Sequence, residues 1–151
     1  MKILFVCTGN TCRSCMAEAI FNSVKEEDSV MVSSAGIAIF PNSKTSLNSA
    51  LVVKKNLNID ISERYAVQLT KELLVENDLI LTMTYNIKES LVGKFPEFGN
   101  KIFSLNEYVG IKGDVLDPYG DTVIVYENTF KQLKDGILLL LNKLKEDKSI
   151  R

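Results

Sequence analysis

Lys2-Ile3-Leu4-Phe5-Val6-Cys7 is an apolar run with β-branched members, and it gives way to the small, turn-forming residues Thr8-Gly9-Asn10-Thr11-Cys12. A helical pattern then begins at Ser14. The order reads as a buried strand, a loop and a helix, and no other feature of the chain restricts the fold so narrowly. Such a junction turns successive backbone N–H groups, and the positive end of the helix dipole, into one concave space where an anion can sit. A cysteine at its lip feels that field, which favours thiolate over thiol and makes Cys7 a candidate nucleophile. Arg13, separated from Cys7 by the five residues Thr8 to Cys12, can return its planar fork to the same space and bind two oxygens of a phosphoryl group. The stretch therefore combines a nucleophile, an amide cradle and a guanidinium clamp.

The remaining chain supplies the partners of that strand. Met16, Ala17, Ala19, Ile20, Phe21 and Val24 recur at helical spacing and run into the charged Lys25-Glu26-Glu27-Asp28. Val30 to Ala35, closed by Gly36, reads as a second strand, so the first 35 residues form a βαβ unit. Residues 37 to 46 read as loop. A helix is predicted from Thr45 to about Asn58, with Leu47, Ala50, Leu51, Lys54 and Leu57 along one side, followed by a polar, irregular Asp60 to Thr70. A short helix starts at Thr70. Asp78 to Met83 is a third strand, and its unbroken apolar centre suits burial on both faces. A helix from about Tyr85 to Lys94 ends before Pro96 and Gly99, and Lys101 to Leu105 is a fourth strand. A loop is predicted from Asn106 to Asp121. The last helix runs from about Thr122 to Lys145, with an apolar stripe from Val123 through Tyr126, Phe130, Leu133, Ile137, Leu140 and Leu141 to Leu144. That stripe fits packing on a sheet. The predicted architecture is a single α/β domain over residues 1–151, a four-stranded parallel sheet with helices on both faces and the anion-binding loop after the first strand.

Charge and composition exclude several classes of function. The 18 basic and 19 acidic residues are well mixed and sum to −1, which offers no electrostatic case for nucleic acid or anionic lipid. No apolar run is long enough to span a bilayer, and the N-terminal one is too short for a signal h-region; a cytoplasmic setting is expected. There is no histidine. A Cys-His or Ser-His pair is thereby excluded, as are the commonest zinc ligand sets, so no metal and no cofactor is expected. Any general acid must be a carboxyl, phenol, thiol or lysine.

Three cysteines at positions 7, 12 and 15 invite other readings. Their spacing matches the first part of a plant-type iron–sulfur ligand run, but no fourth cysteine exists and no histidine can replace it. Cys12-Arg13-Ser14-Cys15 is formally a dithiol motif, yet that reading leaves Cys7, Gly9, Asn10 and Arg13 without roles. Simple packing as small hydrophobes suits Cys15, on the first helical turn, better than it suits Cys7.

Cys7-Thr8-Gly9-Asn10-Thr11-Cys12-Arg13-Ser14, together with Asp117-Pro118-Tyr119-Gly120 before the last helix, resembles the low-molecular-weight protein tyrosine phosphatases. Ser33-Ser34-Ala35-Gly36, Gln68-Leu69-Thr70 and Leu81-Thr82-Met83 with Asn86 are similar to that family's internal landmarks and stand in the same order. The resemblance implies phosphorylated proteins as substrates. It implies Cys7 as the nucleophile forming a phosphocysteine, Arg13 as the clamp on the phosphoryl oxygens, and Asp117 as the acid that protonates the leaving group. Thr8, Gly9, Asn10, Thr11, Cys12, Ser14 and Tyr119 are the implied phosphate- and substrate-binding residues. Ser14 is expected to donate to the Cys7 sulfur, and Asn10 to brace the loop through neighbours such as Ser34. Cys12 resembles the second cysteine that protects the nucleophile as a disulfide, while Cys15 stands where the family commonly has proline.

Thr11 bears on the substrate. Tyrosine-directed members usually carry an aliphatic residue there, whereas threonine, and Thr84 after Met83, resemble the bacterial protein-arginine phosphatases. A thioredoxin-coupled arsenate reductase is the alternative enzyme of related fold, but it needs further cysteines near the third strand, and Met83 to Pro96 contains none. A non-catalytic phosphate-binding module would have no use for both Cys7 and Asp117. The sequence assigns no oligomeric state.

Overall fold

A computed structural model describes residues 1–26 and 28–150, with side chains through Asp147; Glu27, in the charged run after the first helix, lies outside the described residues. Four strands, β1 (Lys2–Cys7), β2 (Met31–Gly36), β3 (Leu79–Thr82) and β4 (Ile102–Ser104), form one parallel sheet in the order β2-β1-β3-β4. Cys7 pairs with Gly36 on one side of β1, and Val6 with Thr82 on the other. Because the next strand in sequence lies to one side of β1 and the third to the other, the chain reverses its winding there. The crevice at that reversal, outside the carboxyl ends of the strands, receives the loop after Cys7.

Alternation along β1 divides the core between two faces. Ile3 and Phe5 point into the larger apolar layer, with α1 (Arg13–Val24), α2 (Leu47–Leu57) and the last helix. Leu4 and Val6 point to the other face, where they meet Leu74 of α3 (Lys71–Glu76) and Ile87 and Leu91 of α4 (Tyr85–Lys94). Covered on both sides, the strands need continuous apolar sequence, and they have it. The last helix, α6 (Val123–Ile150), buries Tyr126, Phe130, Leu133, Ile137 and Leu140 against the larger layer, and packs on α1, α2 and α5.

Five local expectations are corrected. The predicted loop from Asn106 opens inside a helix, α5 (Leu105–Val109), because Ser104 accepts from Glu107 N–H while the Glu107 carboxylate accepts from Ser104 N–H. That capping box also ends β4 at Ser104, so Leu105 is the first helical residue rather than the last of a strand. On α2 the buried side is Ser49, Ala50, Val52 and Val53, whereas Leu47 and Leu51 face solvent. Burial of Val52 and Val53 in the larger layer sets this face inward, and on its other flank Asn48 donates to the Asp121 carbonyl. Residues 60 to 70 carry two isolated bridges: Gly36 to Gln68 ties this segment to the sheet edge, and Lys44 to Tyr65 ties it to the segment after β2. Val123, the first residue of the predicted stripe, is exposed on the opening turn of α6. Among the described residues no helix is long and apolar enough to cross a membrane.

Candidate active site

Cys7 ends the buried β1, and Arg13 opens α1, so strand and helix fix the two ends of the intervening loop independently. Five residues must bridge them tightly. Asn10 does so in the left-handed region at φ 57°, which Asn tolerates better than most side chains. Its backbone N–H then lies 3.2 Å from Cys7 Sγ. The N–H groups of Gly9, Thr11 and Cys12 have no protein acceptor among the described residues. With the first turn of α1 behind them they form a cradle for an anion.

The loop lies against the end of β2. Ile37 N–H donates to the Cys7 carbonyl and Ala38 N–H to the Thr8 carbonyl, each at 3.0 Å. This approach requires Gly36: a Cβ there would stand 2.7 Å from the Thr8 carbonyl oxygen and 2.9 Å from Asn10 N. On the other flank Ser46, the cap of α2, donates its N–H to the Thr11 carbonyl.

Ser14 Oγ lies 2.8 Å from Cys7 Sγ and accepts from Asn10 Nδ2 at 2.7 Å. The same Nδ2 donates to Ser34 Oγ at 3.0 Å, the neighbour expected to help Asn10 brace the loop. Asn10 and Ser14 are completely buried beneath the loop. Cys7, Thr8, Gly9, Thr11, Cys12, Arg13, Asp117 and Tyr119 line the cleft above it, of about 570 Å³. All ten sequence-derived positions thus meet at one place, two as floor and eight as lining.

Arg13 is only 5% exposed; its Nη1 reaches the Val115 carbonyl at 3.5 Å and its Nη2 stands 3.6 Å from Asp117 Oδ2. Asp117 is more than half exposed. Its other oxygen accepts from Tyr119 N–H, and the Asp121 N–H to Pro118 carbonyl bond closes a turn with Gly120 at φ 78°. This turn needs glycine at its third position and presents Tyr119 at its tip. Across the mouth stands Phe40, as exposed as Tyr119.

The other two thiols differ. Cys15 is buried on the inner side of α1 and its Sγ donates to the Cys12 carbonyl; burial first, and then the charge of Cys7, push it far above the ordinary thiol range. It stays a protonated packing group. Cys12 borders the cleft, with Sγ 3.4 Å from Tyr126 Oη and 3.5 Å from Ser46 Oγ. Burial, and then Cys12, push the Tyr126 phenol up to about 12.

A sequence profile described as low molecular weight phosphotyrosine protein phosphatase matches residues 2–150. The chain belongs to this family. It is a cysteine-dependent protein phosphatase. The phosphatase is 40% identical to the protein-arginine-phosphatase of Bacillus subtilis over 98% of its own length and 99% of the relative's. A crystal structure of a low molecular weight protein tyrosine phosphatase from T. tengcongensis superposes with a TM-score of 0.90 at 44% identity, covering 95% of this chain and 99% of the other. A structure of the YwlE arginine phosphatase, a C7S mutant with phosphorylated active site serine, superposes with a TM-score of 0.91 at 38% identity and covers both chains completely.

Several residues of the phosphatase's site were not singled out from sequence. Phe40, Ser43 and Lys44 line the cleft from a segment read only as loop, and Ser46 from the start of the predicted helix. Arg64 and Glu18 lie under the phosphate loop, and Arg64 donates to Asn10. A large aromatic, Phe40, directly before Pro41 in a predicted loop was the signal available for the cleft wall.

Proposed function

We propose that this phosphatase hydrolyses phosphoarginine in proteins through a phosphocysteine on Cys7. The observation that supports this substrate is Thr11: it lines the cleft with Cys7 and Arg13, and the only protein partner of its hydroxyl among the described residues is Cys12 Sγ at 3.8 Å. That hydroxyl is open to the cleft, where it can hold a water against the phosphorus. The flat rings of Phe40 and Tyr119 at the mouth suit a planar, cationic leaving group, which an aromatic face attracts. The named activity of the Bacillus subtilis relative, and the phosphorylated nucleophile position of the YwlE mutant, point the same way.

In the first step Cys7 Sγ attacks phosphorus while the P–N bond breaks, and Asp117 gives its proton to the leaving nitrogen. Arg13 and the loop N–H groups take up the charge on the three equatorial oxygens, and Ser14 donates to the sulfur. In the second step a water oxygen bonds phosphorus, its proton passes to Asp117, and the S–P bond breaks to release inorganic phosphate and the thiolate. Metal ions have no part in this scheme. The exposed Asp117 turn can move with the leaving group, and the buried loop need not.

A tyrosine-directed reading is favoured by the T. tengcongensis structure. Kinetics on matched phosphoarginine and phosphotyrosine peptides decide between the two. Higher kcat/KM on phosphoarginine is expected, with Thr11→Ile shifting the ratio toward phosphotyrosine by about tenfold. An unchanged ratio in that variant removes Thr11 from the account of specificity.

A further inference from the structure

The backbone that leads to Asp117 is taken up, group by group, by other elements. Asn106 of α5 donates to the Gly113 carbonyl at 3.0 Å, and the Asp114 carboxylate accepts from Tyr85 N–H at the start of α4. Val115, with its side chain buried, donates its N–H to the Met83 carbonyl and turns its own carbonyl to Arg13. Gln132, half-buried on α6, holds the residues on either side of it at once: Nε2 donates to the Asp114 carbonyl at 2.9 Å, and Oε1 accepts from Leu116 N–H at 3.1 Å. One turn earlier on α6 the completely buried Thr129 donates its hydroxyl to the Leu116 carbonyl at 3.3 Å.

A carbonyl only accepts and a backbone N–H only donates, so the Gln132 amide has a single orientation here. It bonds residues 114 and 116 as a residue of a parallel strand opposite Val115 would, and so holds that stretch straight with no further strand in the sheet. Beyond Leu116 the restraint stops. Among the described residues, the polar contact of residues 117–120 with another element is Arg13 Nη2 to Asp117 Oδ2 at 3.6 Å. The chain is caught again at Asp121, whose carbonyl accepts from Asn48. The turn that carries Asp117 therefore leaves the body of the protein at one pinned residue and rejoins it at another.

We propose that Gln132, with Thr129 beside it, is a positioning residue for proton transfer: it fixes the point from which the Asp117 turn departs, and through it the distance of the carboxyl from the leaving atom. The proposal rests on Asp117 being the acid. A displacement of about 1 Å at that point is enough to cost much of a proton transfer, and leaves the phosphate cradle, which is held by β1, α1 and Gly36, in place.

The test compares phenyl phosphate, whose leaving group needs a proton, with 4-nitrophenyl phosphate, whose leaving group does not. Gln132→Met keeps the length of the side chain and removes both bonds. It is expected to lower kcat/KM on phenyl phosphate about tenfold and on 4-nitrophenyl phosphate by no more than about twofold, with competitive inhibition by inorganic phosphate unchanged. Added to Asp117→Asn, the same change should cost phenyl phosphate little more, because the group it positions is gone. Equal losses on the two esters, no loss on either, or a full further tenfold loss in the Asp117→Asn background overturn the proposal. If Gln132→Met does not fold, Thr129→Val is read in the same way and must show the same split. The acid reading is checked by Asp117→Asn alone: equal losses there end that reading, whereas a split there and none in Gln132→Met ends only this one.

Discussion

The floor and the roof of the active site are built on opposite plans. The floor, Cys7 to Ser14, is buried except at Thr8, Gly9 and Thr11, which open to the cleft; Asn10 uses both amide protons and both lone pairs of its oxygen, and strand, helix and Gly36 hold the backbone from three sides. The roof, Asp117 to Gly120, is exposed apart from Pro118 and closed by one side-chain turn and one backbone turn. Its nearest charged contact with the floor is Arg13 to Asp117 at 3.6 Å, in a geometry worth little at a surface. Groups that must meet the same phosphoryl oxygens in every cycle are fixed before substrate arrives. The group that must follow a leaving atom is left free to adjust.

Substitutions can break or sharpen this contrast. The largest effect is expected for Cys7→Ser, which should cut turnover of any phosphate substrate by on the order of 10⁴-fold or more, since a neutral hydroxyl replaces the sulfur nucleophile. Steady-state assays with an aryl phosphate read this directly. Asp117→Asn should slow a poor leaving group on the order of a hundredfold and a good one far less, seen as a steeper dependence of kcat on leaving-group basicity. Its thermal midpoint should hardly move, because the roof supports nothing beneath it. Gly36→Ala tests the floor from outside the chemistry. The added methyl must push the loop off β2, so a loss of about tenfold in activity and about 2 kcal/mol in stability is expected, by kinetics and by urea titration. A floor that tolerates that methyl without loss is not the rigid cradle described here. Cys15→Ala should be the mildest change: kinetics within about twofold of the parent, and about 1 kcal/mol less stable, because a buried and protonated thiol contributes packing and one weak hydrogen bond to the Cys12 carbonyl.

Much of this was visible along the chain. The four strands announced themselves by short apolar runs, and α1 and α6 by apolar residues at helical spacing, because a covered sheet and an amphipathic helix impose those periods. Misreadings occurred where periodicity was weak and a cap decided the outcome. The Ser104–Glu107 pair is a legible start signal for α5 that apolar patterning alone passes over. The α2 face was misassigned because Leu47 and Leu51 look like core, whereas Val52 and Val53 are the residues packed against the larger layer, which leaves both leucines outward.

The active site divides in the same way. Cys7, the loop, Arg13 and Ser14 lie in one unbroken stretch, so the local geometry of strand, turn and helix is enough to bring them together. The sequence by itself determined that nucleophile, cradle and clamp share one space, and that no histidine takes part. What only the tertiary structure decided is what stands under and over that space. Arg64 reaches Asn10 across 54 residues of sequence, and Val115 meets Arg13 across 102. Gly36 arrives at the end of β2, and Phe40 in the segment that follows it. Hydrogen bonds of that span carry no periodic signal, because each depends on how separate elements pack and not on the spacing within any one of them.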